Sequence, residues 1–307
     1  MPRDDSGGGS IPGSVRVCVR VRPLLPSEKM RGEKSLVQCK DPKNVSVLLP
    51  SPGSAAGISQ GNAPASSHSG GGGGRQLTTT LSRSFAFDLA CHEGFGQADV
   101  FSHSGASELV DKALTGVKAT IMAYGATSSG KTYTMSGLDQ SSYGTDAAGG
   151  LGANASMQAS SGDASAHEGL ILQATRYLYS RMAAMGGGFS VIASYCEVYN
   201  EQVFDLLQVS PPPASSHQSL KGLGVRHHAA LDEFFVPGLL EVRCESLSDV
   251  NAVLEEGNQN RRRASHELNA DSSRSHSLLM LHVSGPAKGE GLLGSLGRIQ
   301  WSLKIAS

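Results

Sequence analysis

The chain has 307 residues, 39% of them hydrophobic, and 26 Lys and Arg against 27 Asp and Glu give it a formal net charge of −1. That balance supplies no global attraction to nucleic acid or to an anionic membrane, so an acidic partner has to be met by a local patch. No apolar run approaches the length that spans a bilayer, and Met1-Pro2-Arg3-Asp4-Asp5 lacks the apolar segment of a secretory signal, so the sequence reads as cytosolic with neither nucleic acid nor membrane as partner.

Cys18, Cys39, Cys91, Cys196 and Cys244 are scattered without CxxC pairs or metal-spaced histidines, which predicts reduced structural thiols rather than a zinc site. Residues 1–13, 51–76, 137–167 and 208–224 are dominated by Gly, Ser, Ala, Pro and His, with runs such as Gly70 to Gly74 and Pro211-Pro212-Pro213. They read as a disordered tail and three loop insertions, leaving about 220 residues for a single domain over 14–307.

Val15, Val17, Val19 and Val21 alternate with polar residues before Pro23, which predicts a strand where the domain starts. Val45 to Leu49 and Leu77 to Phe87 read as further strands flanking the first insertion. Leu109, Val110, Ala113 and Leu114 fall at helical spacing in a helix over 100–114 that ends at Gly116. The apolar run from Ala119 to Tyr124 leads into Gly125-Ala126-Thr127-Ser128-Ser129-Gly130-Lys131-Thr132, and residues from Lys131 to Ser136 suit a helix.

Further on, Leu170, Ala174, Leu178, Met182 and Met185 share one helical face that Gly186-Gly187-Gly188 terminates. A strand over 189–196 follows by alternation and runs into Glu197-Val198-Tyr199-Asn200-Glu201. Ser248 is placed to cap a short helix reaching Gly257. Leu278 to Val283 and Ile299 to Ile305 read as the last strands. Strands alternating with helices predict an α/β fold of the P-loop NTPase type, a central, mostly parallel sheet with helices on both faces and the ligand at the carboxyl ends of the strands.

The eight residues from Gly125 to Thr132 have the form GxxxxGK[ST] in the strand–loop–helix context that such a loop requires. Backbone N–H groups in the glycine-rich turn converge on phosphates, Lys131 reaches the terminal phosphates, and the Thr132 hydroxyl is placed to ligate Mg²⁺. The competing reading is a Gly/Ser-rich loop with a chance lysine.

At Asn269-Ala270-Asp271-Ser272-Ser273-Arg274-Ser275-His276 the chain resembles the NxxSSRSH nucleotide-sensing segment, switch I, of kinesin motor domains. Other blocks resemble the family in order: Val19-Arg20-Val21-Arg22-Pro23-Leu24 its RxRP strand, Phe85-Ala86-Phe87-Asp88 and Gln97-Ala98-Asp99-Val100-Phe101 its F-x-F-D and Q-x-x-V-F segments, and Ala123 through Met135 its phosphate loop. Tyr195 to Glu201 with Asp205-Leu206-Leu207 is similar to its EIYNE…DLL element. Taken alone, Arg20 and Arg22 equally suit a solvated strand face, and Ser272-Ser273 an ordinary turn.

The resemblance implies the kinesin motor fold, Mg²⁺ and ATP as ligands, ATP hydrolysis as activity, and microtubules as partner in the cytoplasm and cytoskeleton. It implies that Lys131 and the amides of Gly125, Ala126, Thr127, Ser128, Ser129 and Gly130 hold phosphates. Thr132 and Ser273 would ligate Mg²⁺, Asn269 and Ser272 position water, Arg274 serve the sensing segment, and Arg20 and Pro23 pack near the base. The family's second sensing segment, D-x-x-G-x-E, finds no counterpart. Trp301 to Ser307 stand where its strand and aspartate belong, so the expectation is a motor domain incomplete at its C-terminus and poorly stable alone. A non-motile nucleotide-binding or microtubule-interaction module, and an unrelated P-loop kinase, are the competing functions.

Overall fold

The computed structural model describes residues 15–49, 81–137, 167–208, 222–230, 233–268, 275–285 and 298–304. The expected tail, nearly all of the three expected insertions and residues 269–274 therefore lie outside the described residues. The chain divides into two compact units, Met1–Gly94 and Phe95–Ser307.

In the first unit, β1 (Cys18–Arg20) pairs in parallel with β5 (Leu89–Cys91). β2 (Val37–Cys39), β3 (Asn44–Leu49) and β4 (Leu81–Ala86) form an antiparallel meander. The valine alternation at 15–21 yields only three strand residues because the chain before Cys18 has little to pack on: Val15 and Val17 are exposed. Asp88 anchors that stretch, its carboxylate accepting the Val17 N–H at 2.7 Å. A short helix that the sequence does not announce, α1 (Pro26–Met30), follows Pro23. Arg22 reaches it through a two-pronged pair with Glu28, at 2.8 Å (Nη1 to Oε2) and 2.6 Å (Nη2 to Oε1).

The second unit is built on a sheet in the order β11-β7-β12-β13-β6, with β8 alongside β7. The strands are β6 (Ala119–Met122), β7 (Ser190–Tyr199), β8 (Gln202–Asp205), β11 (Val242–Cys244), β12 (Ser275–Ser284) and β13 (Arg298–Lys304). A separate hairpin joins β9 (Arg226–His228) to β10 (Glu233–Phe235). The α/β class is as expected, while the pairing is mixed rather than mostly parallel. Among the described strands of this sheet, only β6 and β13 pair in parallel. The β7–β8 connection is a tight hairpin, with Asn200 and Glu201 at φ 48° and 61°, and tight turns can join only antiparallel neighbours.

Three helix boundaries depart from the sequence reading, each for a local reason. The helix expected over 100–114 is two, α2 (Gln97–Ser104) and α3 (Ala106–Leu114), parted by Gly105 at φ 83°, a left-handed conformation that breaks the helix and favours glycine. α4 (Lys131–Ser136) and α5 (Leu170–Ala184) stand where expected, except that Met185 lies just past the α5 end and is exposed. α6 (Leu247–Leu268) runs through Gly257 instead of ending there. Gly257 is a packing residue: a Cβ on it would lie 2.1 Å from Cδ1 of Tyr195. The α6 cap is made by Ser246 rather than Ser248, with Asp249 accepting the Glu245 and Ser246 N–H groups at 2.7 and 2.9 Å, a reciprocal arrangement that satisfies otherwise orphaned donors.

The core of this unit comes from strict alternation. On β12 the residues Ser275, Ser277, Leu279, Leu281 and Val283 are sealed, while those between them are half-buried. The α5 face carries Leu170, Ile171, Ala174, Leu178 and Met182 inward, and α6 contributes Val250, Val253 and Leu254. Each such aliphatic side chain removed from water contributes about 1.5–3 kcal/mol before entropy is counted. This packing fixes the strand from which the candidate loop leaves.

Candidate functional site

The loop from Gly125 to Gly130 leaves the carboxyl end of β6, the strand paired in parallel with β13, and delivers the chain into α4. Ser129 closes the turn through its N–H, which donates to the Ala126 carbonyl at 3.2 Å. The turn leaves no room at its first residue, where a Cβ on Gly125 would sit 2.7 Å from Ser129 Oγ. At its last residue Gly130 takes φ 96° as the α4 N-cap, where any Cβ would be strained.

Lys131 is the first residue of α4 and only 7% exposed. Its Nζ donates to the Gly125 carbonyl at 2.7 Å and the Ala126 carbonyl at 2.8 Å. Burial holds its pKa below the ordinary lysine value, since desolvation penalises the ammonium more than the amine. The amine is thus folded back over the glycine-rich turn rather than extended into solvent. Thr132, beside it, is exposed, as are Ala126, Thr127 and Ser128. These residues face solvent while the lysine is pinned.

A residue whose role the sequence did not reveal fixes the helix behind the loop. Gln97, on α2 and 1% exposed, donates its side-chain amide to the Tyr133 carbonyl at 2.5 Å. That carbonyl also accepts the Gly137 N–H at 3.0 Å. The signal available was a glutamine at the first position of the block Gln97-Ala98-Asp99-Val100-Phe101.

The other sequence-predicted residues divide in two. Arg20 lies half-buried on β1 and Pro23 is exposed just after it, both in the first unit, whereas the candidate loop belongs to the second. Asn269, Ser272, Ser273 and Arg274 lie outside the described residues, between Leu268 of α6 and Ser275 of β12. The structure thus assembles Gly125 through Thr132 into one loop.

The donor set in that loop fits a magnesium–nucleotide group. A glycine-walled turn with room only for hydrogen, a lysine held over it, an accessible hydroxyl next to that lysine and exposed loop residues together match a polyphosphate and a hard, oxygen-seeking cation. Residues 20–298 match the family model described as the kinesin motor domain. The chain belongs to that family.

Among curated relatives, it is 29% identical over 272 residues to kinesin-like protein KIF12 of Mus musculus, covering 89% of this chain and 34% of that protein. It is 32% identical over 288 residues to kinesin-like protein KIFC1 of Homo sapiens, covering 92% of this chain and 37% of that protein. The kinesin chain thus spans little more than a third of either relative. A solved structure of a fast kinesin superposes with a TM-score of 0.64 at 24% identity, over 94% of this chain and 64% of that one, a likeness that speaks for the fold. Among the described residues, no helix is long and apolar enough to cross a membrane.

Proposed function

We propose that this kinesin chain binds nucleotide as a motor domain over residues 14–307 of an ATP-dependent microtubule motor, working in the cytoplasm on the cytoskeleton. The observation that carries the reading is the loop between β6 and α4, with Lys131 Nζ bonded to the Gly125 and Ala126 carbonyls at its mouth. Kinesin-family membership over residues 20–298 supplies the partner class.

Bound Mg-ATP supplies the scissile γ-phosphoryl bond and a divalent charge that neutralises its oxygens. On the protein side, Lys131 exchanges its two carbonyl partners for phosphate oxygens, a stronger charge-assisted contact. The loop amides from Gly125 to Gly130 orient the phosphates, and Thr132 and Ser273 each offer a hydroxyl to the cation. Asn269 and Ser272 would help to position the attacking water, and Arg274 would serve the sensing segment. A loop that binds through backbone amides tolerates Ala126 where the family usually has Gln.

The test is turnover of Mg-ATP by the 307-residue chain with and without polymerised tubulin. Stimulation of hydrolysis by microtubules supports the motor reading. Nucleotide binding without any stimulation would favour a non-motile nucleotide-binding module instead.

A further inference from the structure

Gln97 places an amide in the interior, as the first residue of α2 and only 1% exposed. α2 itself is well seated. Val100 is sealed, the Phe101 ring stands edge-on to Tyr177 of α5 with centroids 6.1 Å apart, and Asp99 closes the helix start by accepting the Gly96 N–H at 2.9 Å. Gln97 therefore reaches out from a fixed platform. An aliphatic side chain there would leave water without the cost of burying an amide. What it would lack is direction, because a donor fixes both distance and angle to the carbonyl it meets.

That carbonyl belongs to Tyr133, the third residue of α4. With six residues, α4 is too short to be stable on its own ladder and depends on what packs around it. Its far end is held backbone against backbone, where no Cβ fits on Gly169 beside the Met135 carbonyl or on Gly137 beside the His167 carbonyl. In the first turn, Lys131 is bonded to the Gly125 and Ala126 carbonyls. It has to leave those partners to meet a phosphate, so they cannot also steady the helix in the bound state. The Gln97 bond reaches the same turn from outside the loop and does not depend on where Lys131 points.

We propose that Gln97 is a positioning residue for the phosphate loop. Through the Tyr133 carbonyl it fixes the first turn of α4, and with it the backbone from which Lys131 and Thr132 meet phosphate and cation, a geometry that a binding site needs held to about 0.5 Å. This rests on the nucleotide-binding reading of the loop. Gln97, sealed from solvent, meets no ligand and acts through α4.

The test variant is Gln97→Met, which keeps the length of the side chain and removes the donor, with Gln97→Leu run in parallel so that the comparison does not hang on one repacking. Val250→Ala, a truncation of a sealed α6 side chain, serves as a control that costs stability away from α4 and the loop. Circular dichroism sets a temperature at which the proteins are folded. Titration with a fluorescent, non-hydrolysable ATP analogue and Mg²⁺ then gives the number of sites per chain and the affinity of each. A residue that serves the fold alone changes the number of competent sites, whereas a positioning residue changes the affinity per site. The expected result is an affinity about tenfold weaker in the Gln97 variants, the effect of an outer contact that orients a ligand-binding side chain, with site number unchanged and Val250→Ala at parental affinity. Hydrogen exchange on the ligand-free proteins gives a second reading. The Thr134 and Gly137 amides, bonded to the Gly130 and Tyr133 carbonyls at 2.9 and 3.0 Å, should exchange about tenfold or more faster in the Gln97 variants, with the α5 amides unchanged. Parental affinity per site in a folded Gln97 variant overturns the proposal, as does an equal loss in Val250→Ala or parental exchange at Thr134 and Gly137. A parent that binds no analogue overturns the nucleotide reading of the loop and the proposal with it, whereas a binding parent beside an unaffected variant overturns the proposal alone.

Discussion

Gln97 Nε2 lies 2.5 Å from the Tyr133 carbonyl and ties α2 to α4, the helix that follows the loop. The contact is made in a site almost closed to water, so losing it leaves a bond unmade without water to replace it. Gln97→Leu is expected to destabilise the second unit by about 1–3 kcal/mol. Because Tyr133 O keeps the Gly137 N–H, the loss should sit low in that range. Urea unfolding of the variant beside the parent checks it, and an unchanged midpoint would show that the amide does not anchor α4.

Gly257→Ala sets two effects of opposite sign against each other. Alanine is the better helix former by about 1 kcal/mol in the interior of a helix. The added Cβ, however, would lie 2.1 Å from Tyr195 Cδ1 and 2.6 Å from Cε1, and the Tyr195 ring is buried and held through its hydroxyl by Asn258. Overpacking of this kind costs about 1–3 kcal/mol or more, so the variant is expected to melt lower than the parent. A higher melting temperature would mean that the ring gives way.

Glu28 carries the clearest pH signature. The Arg22 guanidinium beside it, and then the Leu25 N–H, hold its carboxyl well below the ordinary 4.5, at about 2. A carboxylate whose folded pKa is depressed contributes stability that is complete above its unfolded value and is lost as pH falls through the folded one. The contribution of this pair should therefore fade between about pH 4.5 and 2. Carbon-detected titration of the Glu28 carboxyl should give a midpoint near 2, and Arg22→Met should return it toward 4.5. A parental midpoint already near 4.5 would remove the pair from solution.

The thiols should sort by burial. Cys91, Cys196 and Cys244 are 1–2% exposed, and burial pushes the Cys196 thiol up to about 12. Cys18 is exposed. Because thiolate is the reactive form, iodoacetamide at pH 8 should label Cys18 in the folded protein and the three buried cysteines only after unfolding. Early labelling of Cys196 would contradict the packing of β7 against β12.

The sequence carried the elements that rest on one strong period or one strict motif. Alternation over 189–196, the apolar run from Leu278 to Val283, the 3.6-residue stripe of α5, and the strand–loop–helix around Lys131 each depend on local residues that point one way. It failed where a residue had two uses. Gly257 reads as a helix stop because nothing local shows that Tyr195 presses against it, and Gly105 reads as part of a helix because its left-handed conformation leaves no trace in hydropathy. The short strands β2, β5, β8, β9, β10 and β11 have three or four residues each, too few for a period to emerge. Of the candidate site, the loop from Gly125 to Thr132 was legible outright. The part played by Gln97 was not, since a buried polar side chain looks in sequence like a surface one until its partners are known.

Everything proposed for the pocket depends on the loop between β6 and α4 binding a nucleoside triphosphate through Lys131. The direct measurement is the affinity of the 307-residue chain for a fluorescent ATP analogue with Mg²⁺, beside that of Lys131→Ala. Lys131→Ala also removes the two bonds to the Gly125 and Ala126 carbonyls, so circular dichroism first establishes that both proteins are folded. Saturable binding by the parent and a loss of about a hundredfold or more in the variant are expected. Equal affinity in two folded proteins would contradict it.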